Sequence, residues 1–221
     1  SDRFGVEPRD RNVLLDSLKA AGINQEQIDI VILSHLHFDH AGGLLPSFEA
    51  SQKSGAADLL FPNARYVVGA QALERALNPH VRDRASFVPG LAEKLQSSGR
   101  LLVIEKTEDA RLPKEIFFFF SSGHTPGQMH CCIRGANSTV VFCGDLVPGA
   151  AWVPLPITMG YDRFPERLIE EKLQLYEEAV PNRWLLYFTH DPATVASNVE
   201  LDSKGRYAAV DLKPALIDWK L

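Results

Sequence analysis

The sequence predicts a mixed α/β (α+β) fold, and three observations carry that expectation. A short apolar, β-branched run at residues 28–33 follows a helical pattern. Strand-like segments separated by Gly/Pro/Asn-rich turns fill residues 117–143. An amphipathic helix over 165–180 is followed by a further apolar run at 184–188. No low-complexity linker divides the 221 residues and no repeat is present, so one domain spanning 1–221 is expected.

In chain order, Val13, Leu14, Leu15 and Leu18 recur at helical spacing over 9–21, with Pro8 placed for a first turn and Gly22 for the C′ position. The run at 28–33 reads as a central strand that stops at Ser34. Residues 46–100 read as an insertion: a strand at Arg65–Gly69, a helix at Ala70–Leu77, a helical segment over 85–98 interrupted near Pro89-Gly90, and a strand at Leu101–Ile104. Strands are then expected at 117–121, 129–134 and 139–143. The helix over 165–180 offers Leu168, Ile169, Leu173, Leu175 and Tyr176 as inner positions. A buried strand at 184–188 precedes a hairpin whose arms, 195–201 and 206–212, bracket Asp202-Ser203-Lys204-Gly205.

Composition narrows the function. Hydrophobic residues make up 45% and charged residues 23%, the balance of an ordinary folded chain. The longest apolar run, residues 116–120, falls far short of the roughly 18 needed to span a bilayer. With a net charge of −5 and scattered Lys and Arg, a nucleic-acid or anionic-membrane partner is disfavoured. A small-molecule substrate is the expected partner, and a homodimer is compatible with the sequence. Cys131, Cys132 and Cys143 have no paired spacing, so a disulfide framework is not expected and a reduced, cytoplasmic setting is.

Chemistry begins where the first strand ends. In Ser34-His35-Leu36-His37-Phe38-Asp39-His40, residues two apart on an extended segment share a side, so His35 and His37 can hold one ion together. If a helix follows, Asp39 and His40 leave that line and can face a second ion. Gly42-Gly43 is expected to let backbone pass close by. Three further groups sit just past predicted strands: His124 in a Gly/Pro turn, Asp145 after Cys143-Gly144, and His190 after Thr189. Four strand ends each delivering metal-competent groups is what a site at a sheet edge requires.

These residues, in this order, resemble the ligand motifs of the metallo-β-lactamase superfamily, a likeness running from about residue 25 to 190. The resemblance implies a four-layer αββα sandwich with two metals at one edge: one on His35, His37 and His124, the second on Asp39, His40 and His190, with Asp145 bridging. Several N-terminal strands usually precede the first helix in that family, so they are expected to be missing from this sequence. Two cations lower the pKa of a shared water toward neutrality and provide hydroxide as nucleophile. The family implies that Asp39 orients that hydroxide and passes a proton to the leaving group. Zinc is the expected metal, although the donor set also accepts iron or manganese.

Departures from relatives choose among substrates. True β-lactamases usually carry Cys where Asp145 stands, diiron flavoproteins carry Glu in place of His37, glyoxalase II enzymes append a helical domain, and the RNase Z branch has a basic arm. The spacing is closest to the lactonase and organophosphate-hydrolase branch, although Leu146-Val147-Pro148 stands where lactonases often have a Tyr. Hydrolysis of a carboxylic ester or lactone is therefore expected. Phosphodiesterase or nuclease-like hydrolysis is the alternative, followed by a mononuclear iron oxygenase or an inactive metal-binding member. Trp152, Met159 and Tyr161, in the loop leaving Asp145, are candidate substrate contacts, and Phe87, Val88 and Leu91 are candidates to cap the same mouth. His80 is expected to be an exposed loop residue, His130 a locally bonded strand residue and Asp191 a turn residue. Gln128 replaces a His that many relatives have.

Overall fold

The structure, a computed structural model, describes residues 12–46, 59–217 and 219. Helix α1 (Val13–Ala20) is capped by Asn12, whose side chain accepts from Leu15 N at 3.2 Å; Gly22 follows its end with φ +75°. Pro8 lies outside the described residues. Strand β1 (Ile30–Ile32) leads through an extended segment into the single turn of α2 (Phe38–Ala41). Strand β2 (Arg65–Gly69) runs directly into α3 (Ala70–Leu77), and α4 (Leu91–Ser97) precedes β3 (Leu101–Ile104). The expected break before α4 falls at Gly90, which takes φ +77°.

These three strands form a parallel sheet in the order β1-β2-β3, with Val31 opposite Tyr66 and Val67 opposite Leu102. The stretch read as an insertion therefore supplies the sheet's central strand. The run at 28–33, expected from the sequence as a central strand, lies instead at an edge of this three-stranded sheet, with Ile30–Ile32 only half-buried.

Strands β4 (Ile116–Ser121), β5 (Gln128–Arg134), β6 (Thr139–Phe142), β7 (Leu185–Tyr187), β8 (Ala196–Leu201) and β9 (Tyr207–Lys213) form a second sheet in sequence order. It is antiparallel except for β6 and β7, which run parallel and are joined through helix α5 (Pro165–Ala179). The hairpin over 202–205 connects β8 and β9 as expected.

Alternation along the strands sorts their side chains into three cores and hence four layers. Tyr66 and Val68 of β2 pack toward α3 and α4, whereas Val67 points to the other sheet and meets Phe118 and Met129. In β4, Phe118 and Phe120 join that inter-sheet core while Phe117 and Phe119 face the α5 side, where Cys132, Val141 and Leu186 meet Leu168, Leu175 and Tyr176. The result is the αββα sandwich. On α5 the inner stripe is Leu168, Glu171, Lys172, Leu175, Tyr176 and Ala179, while Leu173, taken from the sequence as inner, is exposed. Counting apolar residues alone misplaces the stripe, because two of its positions are charged. Among the described residues no helix is long and apolar enough to cross a membrane.

Candidate metal centre

Each functional group hangs from a strand end. Beyond β1, Met129 N donates to Ser34 O at 2.7 Å, stitching the two sheets together where His35 emerges. His37 is extended (φ −65°, ψ 153°) and serves as the N-cap residue of α2, so His35 and His37 lie along one line and the helix turns Asp39 and His40 away from it. After β4, the turn carrying His124 is held by Glu171, whose carboxylate oxygens accept from Ser122 N (2.7 Å) and Gly123 N (2.8 Å). After β6, Gly144 turns with φ +48° and Asp145 N donates to Gln128 Oε1 at 3.4 Å. After β7, His190 N donates to Pro148 O at 2.9 Å.

The seven predicted residues converge. Potential ligand atoms fall into three overlapping groups, each within 4.8 Å: His35, His37 and His124; His35, His40 and Asp145; Asp39, His40 and His190. His124 Nε2 lies 3.2 Å from both His37 Nδ1 and Asp145 Oδ2. On the other side, His40 Nε2 and His190 Nε2 stand 3.2 Å apart, and they lie 3.1 and 3.2 Å from Asp145 Oδ1. Asp39 Oδ2 is 3.6 Å from each of those two nitrogens. The first group is buried throughout, whereas Asp39 and His190 open the third to solvent.

The donors fit divalent ions. His35 Nε2 is buried without a hydrogen-bond partner, which is costly for a protein polar atom unless something else satisfies it. His124 Nδ1 donates to Asp162 Oδ1 at 2.9 Å; since a carboxylate only accepts, this places the ring proton on Nδ1 and leaves the Nε2 lone pair facing the site. Burial, then the neighbouring imidazoles, lowers the His35 pKa well below 6.5, and burial with His124 beside it lowers His37 to about 3. Both rings are thus neutral and able to ligate at physiological pH. Burial alone would push the Asp145 carboxyl up, but the imidazoles of His190 and His40 beside it hold it far below the carboxylate range.

A family model described as Metallo-beta-lactamase superfamily matches residues 5–190. The chain belongs to that superfamily. A probable metal-dependent hydrolase from Staphylococcus aureus superposes with a TM-score of 0.74 at 25% identity, over 92% of this chain and 69% of that one. AidC, a dizinc quorum-quenching lactonase, superposes with a TM-score of 0.70 at 20% identity, over 95% of this chain and 72% of that one. A ribonuclease of Thermus thermophilus is 30% identical over 125 residues, which is 57% of this chain. The chain spans only 27% of that curated relative's length. Its His/Asp groups are able to hold a metal ion.

Around this cluster the weaker sequence candidates separate. Tyr161 is exposed, its ring 5.9 Å from that of His124, and its hydroxyl donates to Met159 Sδ at 2.8 Å. Trp152 packs into the core on the α5 side instead. Phe87 lies edge-on to His37 with ring centroids 5.0 Å apart, while Leu91 is core and Val88 packs against it. His80 is exposed, and His130 is buried on β5 with Nε2 2.7 Å from Ser121 Oγ. Asp191 closes its own turn by accepting from Ala193 N and Thr194 N, and it also accepts from Ala150 N. The three cysteines are free. Gly42 and Gly43 do not mark the close approach expected of them, since an added Cβ would meet only ordinary contacts at 3.9 and 3.5 Å. The tight glycines are Gly123, where a Cβ would sit 2.4 Å from Leu168, and Gly127, where it would sit 2.5 Å from Gln71. Sequence reasoning also missed Asp162, which lies in an irregular loop where no periodicity singles it out.

Proposed function

We propose that this chain hydrolyses a carboxylic ester or lactone at a two-metal centre. His35, His37 and His124 would hold one divalent ion, Asp39, His40 and His190 the other, and Asp145 would be shared between them. The observation that carries this reading is the overlap of the three donor groups, with Asp145 presenting one oxygen to each side. When bound, two such ions supply Lewis-acid polarisation of the substrate oxygen and an activated water.

The chain's own residues do the rest. Asp162 fixes the His124 tautomer. Asp39, at the solvent side of the third group, is placed to take a proton from the nucleophile and return it to the leaving group. Tyr161, exposed beside the His124 ring, carries a phenol O–H that would turn from Met159 Sδ to donate to a substrate oxygen. Phe87 and Met159 give the neighbourhood an apolar character that suits an acyl group. Arg75, whose charge disfavours protonation of His37, is bound through two hydrogen bonds to Asp83. That engagement favours an uncharged ester over a phosphodiester. The identity to a ribonuclease supports the phosphodiester as the second reading.

The test is metal content together with turnover of an ester, a lactone and a phosphodiester by wild type and Asp145→Ala. About two equivalents of metal, with ester or lactone turnover that the variant loses, is expected. Turnover of the phosphodiester alone would replace the first reading by the second, and one iron without hydrolysis would overturn both. Asp39→Asn is expected to retain metal and lose about 100-fold or more in kcat; full activity with metal bound would remove Asp39 from the proton pathway.

A further inference from the structure

Helix α5 contributes no predicted metal ligand, yet two adjacent residues on its buried stripe grip both supports of His124. Glu171 points to the turn after β4 and accepts from Ser122 N and Gly123 N, immediately before His124. Arg167 Nε donates to the same carboxylate at 2.9 Å, one turn back. The turn lies so close to the helix that Gly123 has no room for a side chain beside Leu168.

Lys172 reaches a different segment, because consecutive helical residues diverge by about 100°. Its ammonium is fully buried and donates among four backbone carbonyls: Trp152 O (2.6 Å), Pro154 O (2.8 Å), Ile157 O (3.0 Å) and Leu155 O (3.2 Å). An ammonium has three N–H donors, so these carbonyls share all of them and gather residues 152–157 around one point. Burial pulls the Lys172 pKa down to about 8, which leaves it a cation at neutral pH.

The gathered segment continues into Met159, Tyr161 and Asp162. Asp162 Oδ2 accepts from Met159 N at 2.6 Å while its Oδ1 accepts from His124 Nδ1. The loop's return is fixed to the His124 turn by backbone bonds from Arg163 N to His124 O and from Phe164 N to Gly123 O.

We propose that Glu171 and Lys172 are positioning residues for His124: Glu171 sets the turn that carries the ring, and Lys172 sets the loop that brings Asp162 to its outer nitrogen. Neither touches the donor groups; both act through His124 and Asp162. The consequence for metal affinity rests on the metal-centre reading, whereas the loop mechanics do not, and the test keeps the two apart.

In hydrogen–deuterium exchange on the metal-free protein, Lys172→Met is expected to speed exchange across residues 150–164 about tenfold or more, with β4–β7 still protected. In Zn2+ titrations against a chromogenic chelator, Lys172→Met and Asp162→Asn are each expected to weaken binding about tenfold. The double variant is expected to be no weaker than the worse single one, because both act on the same contact. Where Lys172→Met does not fold, Lys172→Gln keeps two N–H donors and is expected to show the same pattern at about threefold. Unchanged loop exchange, or losses that multiply in the double variant, overturns the proposal. Wild type that takes up no zinc overturns the metal-centre reading instead, and the exchange result still decides whether Lys172 clamps the loop.

Discussion

At the scale of single residues, a side chain's chemical type announces a ligand, but the groups that orient it are silent. His35, His37, Asp39 and His40 stand out because imidazoles and a carboxylate two and three positions apart are rare without a cation to hold. Asp162 is one acidic residue in a loop and gains its meaning only from a 2.9 Å contact to His124. Replacing it by Asn leaves the volume unchanged but allows the amide to offer an N–H where the ring nitrogen needs an acceptor. Asp162→Asn is expected to lower metal affinity by about tenfold with the fold retained; chelator competition beside a circular dichroism spectrum checks both. The cysteines show the opposite case, in which type suggests reactivity and surroundings remove it. Burial raises the Cys131 thiol to about 11 and Cys132 to about 12, and pushes Cys143 up as well. Thiol titration is therefore expected to proceed slowly in the native protein and to count three only on unfolding.

At the scale of elements, apolar periodicity located the strands and helices α3 and α5 to within a residue or two, whereas the segment read as helical over 85–98 becomes an α-helix only from Leu91. Arg65–Gly69, Ala70–Leu77 and Leu101–Ile104 lie where the sequence places them. Periodicity is blind to charged residues that face inward, which is why Glu171 and Lys172 escaped it although they stand three and four positions after Leu168 on the same face. It is equally blind to which glycine matters. Gly42-Gly43 draws the eye beside the histidine cluster, but the glycines pressed against a helix are Gly123 and Gly127, on either side of His124. Gly123→Ala must displace helix backbone at Leu168, and a loss of about 2–3 kcal/mol is expected together with weakened metal binding. Gly42→Ala is expected to change chemical-denaturation stability by less than about 1 kcal/mol. Equal losses for the two would mean that the turn does not rest on α5 as described.

At the scale of the whole molecule, the sandwich brings strand ends from two sheets to one edge, and the donors they carry are mutually repulsive when protonated. That arrangement makes stability depend on pH in a definite direction. His37 is buried and has its pKa lowered from 6.5 to about 3, and burial lowers His130 on β5 to about 4. An unfolded chain protonates both near 6.5, whereas the folded chain keeps them neutral until well below that. The stability these rings permit is thus complete above pH 6.5 and is lost as pH falls from there toward their folded values, at about 1.4 kcal/mol per group per pH unit. His190 runs the other way: the adjacent Asp145 carboxylate raises its pKa, so its contribution is present at low pH and fades as pH rises through the folded value. It is exposed, and solvent keeps that term small. For metal-stripped protein the melting temperature is therefore expected to be flat above pH 6.5 and to fall steeply between pH 6.5 and 4.5. Zinc at neutral pH is expected to raise the melting temperature in a concentration-dependent way, because it binds the folded arrangement of neutral rings. That increment should vanish on acidification, as protons and metal compete for the same nitrogens. A stripped protein whose melting temperature does not change between pH 6.5 and 4.5 would show that the rings protonate without unfolding, and hence that the strand ends part more readily than their burial implies.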